Sequence, residues 1–67
     1  MEQQVVFPRI DNPADWAPVE GRMFAVYAEM TGEMVKAENG FTTAGEAAEW
    51  AAETFGGGNW QVVEYDA

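Results

Sequence analysis

Residues 22–30, Arg-Met-Phe-Ala-Val-Tyr-Ala-Glu-Met, form a run apolar at all but Arg22 and Glu29 that reads as a strand, and residues 33–38, Glu-Met-Val-Lys-Ala-Glu, mix apolar and polar positions and read as its partner. Two such runs separated by Thr31-Gly32 predict a β-hairpin. A two-residue loop pairs Met30 with Glu33, Ala28 with Val35 and Val26 with Ala37. One face of the hairpin then collects Phe24, Val26, Ala28, Val35 and Ala37. The other collects Ala25, Tyr27, Glu29, Met34, Lys36 and Glu38, and a one-residue slip would mix the two sets.

Asn39-Gly40 closes the second strand, and the period then changes. Thr43-Ala44-Gly45-Glu46 is a capping box: the Thr43 hydroxyl accepts from the Glu46 backbone N–H while the Glu46 carboxylate reaches back. Ala44, Ala47, Ala48, Ala51 and Phe55 recur at helical spacing, which predicts a helix over residues 44–55 ended by Gly56-Gly57-Gly58. Residues 59–65, Asn-Trp-Gln-Val-Val-Glu-Tyr, predict a last strand. At the other end, residues 3–7 read as a short edge strand. Pro8, Pro13, Pro18 and Gly21 exclude a long helix or a central strand from the stretch 8–21. Within it, Asn12-Pro13-Ala14-Asp15-Trp16 has the cap, the leading proline and the first-turn acid of a single helical turn. Ile10 or Trp16 is expected to pin this loop to the body.

These elements specify a small α+β fold, a ββαβ domain. The helix carries the chain from the second hairpin strand to the last strand, which places the last strand beside the first. The expected sheet is three-stranded and mainly antiparallel, in order 2-1-3, with the helix packed on one face. The chain reads as a single domain over residues 1–67. Its parts are an irregular, Pro-containing N-terminal arm (1–21), whose residues 3–7 can extend an edge, and a ββαβ core (22–67). There is no Leu, so Val, Ala, Phe, Met, Tyr and Trp build the core. The alanine stripe calls for a helix lying close to the sheet.

Composition changes this picture mainly through charge. Twelve acidic residues against three basic ones give a formal net charge of −9. On the expected helix, Glu46, Glu49 and Glu53 lie opposite the alanines, and their spacing sets successive carboxylates about 4.5–6 Å apart along the axis. Phosphates along one DNA strand are spaced similarly, at roughly 6–7 Å. A row of carboxylates of this kind can occupy a groove built for phosphates. The same spacing also describes the solvated face of any amphipathic helix. Against that plain reading, the helix carries no Lys or Arg, whereas a solubilising face interleaves Lys with Glu. A high-salt proteome would also produce acidic surfaces, although Glu outnumbers Asp nine to three here.

Trp50 falls on the flank of the ridge. It is expected either to be half-buried against a neighbouring loop, such as the 10–18 segment, or to anchor an interface ringed by acids. Tyr27 and Met34, flanked by Glu29 and Glu38, form a second candidate contact surface on the outer sheet face.

Other chemistry is scarce. The chain has no His, Cys or Ser, so the commonest catalytic bases and nucleophiles are missing and no enzyme is expected. No calcium-loop spacing and no soft zinc ligands occur, so neither a metal nor a cofactor is expected. The three glycines follow a helix rather than open one, which makes them a terminator and not a phosphate cradle. Arg9, Arg22 and Lys36 are too few to neutralise a nucleic acid directly. The N-terminal residues lack the pattern of a signal peptide, no apolar run is long enough to span a membrane, and the absence of Cys fits a reducing cytoplasm.

In its size, its charge, its lack of Cys and its capped acidic helix, the chain resembles the small acidic inhibitors that bacteriophages encode. Anti-CRISPR proteins and DNA-mimic inhibitors of DNA-processing enzymes are among them. The likeness is one of general character and carries over no residue role. It implies a monomeric inhibitor in the bacterial cytoplasm that occupies the DNA-binding groove of a host nuclease or a CRISPR effector subunit. The expected contact residues are Glu46, Glu49, Glu53 and Trp50, with Glu29, Glu33, Glu38 and Tyr27 extending the field. The alternatives are an accessory domain that binds a basic protein surface through Tyr27 and Met34, a halophile-type solvated domain, or a charged subunit of an assembly.

Overall fold

A computed structural model describes residues 4–67. In chain order the elements are β1 (Gln4–Val6), a 3-10 turn (Pro13–Trp16), β2 (Arg22–Met30), β3 (Glu33–Phe41), α1 (Ala44–Phe55) and β4 (Trp60–Asp66). The architecture is a small α+β fold, with the helix packed on an antiparallel sheet of order β1-β4-β2-β3. The hairpin strands and the last strand take the expected order, with β2 between its partners. The expectation of three strands is corrected to four. β1 pairs with the free edge of β4, setting Gln4 opposite Glu64, Val5 opposite Val63 and Val6 opposite Val62. Val6 is thereby brought against the core.

The hairpin turns through Thr31 and Gly32, whose φ angles are 50° and 86°. Two positive φ values suit the right-handed twist of the flanking strands. Glycine adopts them freely, whereas β-branched Thr does not. Thr31→Asn is therefore expected to raise stability by about 0.5–1 kcal/mol, visible as a higher urea midpoint with an unchanged slope.

Near the turn the register is as expected: Met30 faces Glu33 and Ala28 faces Val35. Further along it is not. Tyr27 faces Lys36 but Val26 faces Glu38, so Val26 does not pair with Ala37 as predicted. Ala37 is the extra residue of a β-bulge, and a second shift precedes the Phe24–Phe41 pair. Asn39-Gly40 continues β3 instead of closing it, with Gly40 at a φ of 88°. Such bulges bend a strand and redirect its side chains. Here they move Glu38 off the Tyr27 face predicted for it and bring Phe41 onto the core.

The core lies between α1 and the sheet. Phe24, Val26 and Val62 on the strands meet Ala44, Ala47, Ala48 and Ala51 on the helix, with Val6, Ala37, Phe41, Trp50, Phe55 and Trp60 around them. Among the described residues, the bulky side chains fully removed from solvent are Val26 and Val62, so small residues on the helix set how close it lies. The sheet's outer face carries Met23, Ala25, Tyr27, Gln61, Val63 and Tyr65 in paired register. Ala25 and Val63 are buried there without help from the helix. The Tyr65 side chain shares that face. It crosses β2 from β4, and its hydroxyl accepts from the Gly40 backbone N–H on β3 at 3.1 Å.

The 3-10 turn is built as the sequence suggests. The Asn12 side chain accepts from the Ala14 N–H at 3.0 Å, Pro13 leads, and Asp15 accepts from the Arg9 N–H at 2.6 Å. Of the two expected pins, Trp16 carries the docking. Its ring sits on the first turn of α1 at Gly45, and its indole N–H donates to the Ile10 carbonyl. Ile10 itself is largely exposed.

Candidate partner-binding surface

The sequence of α1 divides its surface into three bands. Alanines face the sheet, Gly45 faces Trp16, and Glu46, Glu49 and Glu53 face solvent. The N-terminus is capped by Thr43, whose hydroxyl accepts from the Glu46 N–H at 3.1 Å. The return half of the capping box differs from expectation. The Glu46 carboxylate accepts from the hydroxyls of Thr42 at 2.8 Å and Thr43 at 3.3 Å, in place of a backbone N–H. Glu46 therefore has a structural role as well as a charge. Glu49 and Glu53 have neither a hydrogen bond nor an ion pair among the described residues.

No basic residue stands on the helix or lines the groove beside it. Arg22 is held elsewhere, by Glu64 at 3.5 Å and by Asp66. Lys36 lies on the outer sheet face opposite Tyr27. The negative charge of the helix is thus uncompensated locally.

Between α1 and the end of β3 runs an open groove of about 480 Å³, lined by Gly40, Phe41, Thr42, Glu46, Glu49, Trp50 and Glu53. Its aromatic side is a short stack. The Phe41 and Trp50 ring centroids are 5.8 Å apart and tilted by 48°, and Phe55 meets Trp50 edge-on at 5.7 Å. Trp50 is half-buried, as one of its two predicted settings required. Its neighbours are not the 10–18 segment, which docks on the opposite flank of the helix through Trp16. Phe41 and Thr42 were not among the predicted contact residues, because Asn39-Gly40 reads as a strand end when the bulge is not known. The signal available was an aromatic residue directly ahead of the capping threonines.

Four predicted contact residues, Glu46, Glu49, Trp50 and Glu53, are thus brought together on one surface. The remaining four are dispersed. Glu29 and Tyr27 lie on the opposite face of the sheet, and the Glu29 carboxylate accepts from the Asn59 side-chain amide at 2.5 Å. Glu33 stands at the hairpin tip opposite Met30. Glu38 stands at the bulge, where its carboxylate accepts from the Asn39 N–H at 3.1 Å. The outer sheet face leaves Met34 and Val5 substantially exposed, with Tyr27 half-buried between the hairpin strands' side chains.

Among the described residues, no helix is long and apolar enough to cross a membrane. Comparison with protein-family models, curated proteins and solved structures returns no match.

Proposed function

We propose that this chain is a binding protein and not an enzyme: an acidic inhibitor that occupies the basic nucleic-acid groove of a host nucleic-acid-processing complex. The observation that carries this reading is the uncompensated row of Glu46, Glu49 and Glu53. Like charges three and four residues apart destabilise a helix by about 0.2–0.5 kcal/mol per pair. A row that costs stability and has no local countercharge is explained by a basic partner that supplies the countercharge. The chain's general likeness to phage-encoded inhibitors makes a CRISPR effector subunit or another DNA-binding nuclease the first partner to test. In this reading it acts in the cytoplasm of an infected bacterium, as a monomer imitating the charge of DNA without binding nucleic acid itself.

The clean test removes charge without removing the cap, through Glu49→Gln/Glu53→Gln with Glu46 retained. The partner retained from host lysate at low salt should be released by high salt and displaced by duplex DNA. The double variant should bind it about 100-fold more weakly, chiefly through slower association. The same variant should be slightly more stable than the parent, by about 0.5 kcal/mol, because a repulsive pair is gone. Unchanged affinity for every basic partner would sink the reading and leave the row as a solvated helix face.

A second reading has one observation in its favour. The outer sheet face carries Tyr27, Met34 and Val5 beside Glu29 and Lys36, whose opposite charges offset each other, which suits an accessory domain that contacts a protein surface without imitating DNA. Tyr27→Ala should abolish binding in that case and leave it within about twofold in the first.

A further inference from the structure

We propose that the groove between α1 and the end of β3 receives one arginine side chain of the protein partner, its guanidinium stacked on Trp50 and paired with Glu49 and Glu53. This rests on the reading of the acidic helix as a partner-binding surface and specifies what that surface holds.

The groove combines two requirements that no single common ligand class meets except a cation with an apolar stem. Phe41 and Trp50 offer aromatic surface, and Trp50 keeps part of its ring accessible. Glu46, Glu49 and Glu53 line the same groove without any basic residue among them. Glu46 is engaged by the Thr42 and Thr43 hydroxyls, which leaves the Glu49 and Glu53 carboxylates to meet the newcomer. An anion is excluded by charge. A purely apolar side chain would desolvate the carboxylates without replacing the hydrogen bonds they make to water.

Arginine fits better than lysine. Its guanidinium is flat, more weakly hydrated than an ammonium, and able both to stack on an indole and to donate to two carboxylates. Delivery by a protein surface follows from the shape. The groove is open along its length, so it cannot enclose most of a free small molecule as ligand sites do. A side chain brought in by a larger interface has the surrounding contacts to exclude water around it, the usual setting of an arginine hot spot.

The test follows the Trp50 indole N–H and the backbone amides of Phe41 and residues 49–53 by ¹H–¹⁵N NMR in the intact chain, the amides alone serving for the Trp50 variants. The probes are the blocked tripeptide Gly-Arg-Gly and its citrulline and lysine counterparts. The arginine peptide should bind in the millimolar range, with shifts centred on Phe41, Trp50 and the 49–53 turn of α1. Citrulline should give none, and lysine should bind at least threefold more weakly. Trp50→Leu, which keeps every charge, should weaken the arginine peptide about tenfold, and a folded amide spectrum is the condition for reading it. Trp50→Phe provides a more conservative second variant and should fall between the two. Shifts spread equally over Glu29, Glu33 and Glu64, lysine binding as tightly as arginine, or indifference to both Trp50 substitutions would each overturn the proposal. If the natural partner responds to Glu49→Gln/Glu53→Gln but not to Trp50, the acidic-inhibitor reading stands and only the arginine pocket fails. If it ignores the glutamates as well, the broader reading fails too.

Discussion

Ala51→Leu is expected to remove much or all of this protein's folding stability at room temperature. Ala51 is fully buried where α1 faces the sheet, in a stripe with Ala44, Ala47 and Ala48 that packs on Phe24, Val26 and Val62. Leucine and alanine differ little in helix propensity, so the substitution leaves the helix's own preference nearly unchanged. The cost is steric. Three added carbon atoms must enter a position already fully buried, and a helix held close to a sheet accommodates them by lifting along its length. Overpacking costs about 1–3 kcal/mol and sometimes more. A single core in a chain of this size rarely supplies more than about 3–5 kcal/mol. A much lower urea midpoint, or loss of the sigmoidal transition and of the near-ultraviolet signal, would report the effect. Thr54→Leu, at an exposed position of the same helix, is the control and should shift stability by less than about 0.5 kcal/mol. A normal transition in Ala51→Leu would mean that the alanines do not set the helix–sheet distance.

The second large effect reverses an ordinary rule. Replacing glycine inside a helix by alanine normally stabilises it, by about 1 kcal/mol. Gly45→Ala should instead destabilise this protein by about 1–3 kcal/mol. A β-carbon at position 45 would lie 2.5 Å and 2.6 Å from two atoms of the Trp16 ring and 3.0 Å from the Asp15 carbonyl oxygen. The ring cannot move aside freely, because its N–H is engaged by the Ile10 carbonyl and the turn beneath it is closed by Asn12 and Asp15. The diagnosis comes from a double-mutant cycle. In a Trp16→Ala background the clash is absent, so Gly45→Ala should return to stabilising by about 0.5–1 kcal/mol. An equal cost in both backgrounds would place the strain elsewhere than at the Trp16 contact.

These two sites differ in how far they could be read in advance. The alanine stripe is legible because it repeats at the helical period and its capping threonine marks where the helix begins. The closeness of helix to sheet follows from the same residues. Gly45 gives no such signal. A glycine inside a helical pattern reads only as a weak point, and what makes it necessary is a tryptophan twenty-nine positions earlier. The expectation that Ile10 or Trp16 would pin the arm named the right segment without naming its receptor.

The candidate surface divides along the same line. Glu46, Glu49 and Glu53 share one side of α1 because backbone geometry puts residues three and four apart on one side. Trp50's position on the flank follows from the same rotation. Its partner Phe41 does not, since two register shifts separate Phe41 from the pairing that strict alternation would give. Alternation also assigned Glu38 to the wrong face for that reason, while Tyr27, Glu29 and Met34, on the turn side of the bulge, kept the pairing and the face expected of them.

What the sequence determined by itself was local: the hairpin, the capped helix, the strand that follows it, and the placing of charge on one side of that helix. Each is written in a repeat or a cap spanning a few residues, because backbone periodicity and nearest-neighbour hydrogen bonds are enough to specify it. The tertiary structure decided the joining of β1 to β4, the bulge that carries Phe41 to Trp50, the seat of Trp16 on Gly45 and the groove beside the glutamates. Those depend on which distant segments pack together at the least cost in strain and exposed surface, a competition that involves the whole chain.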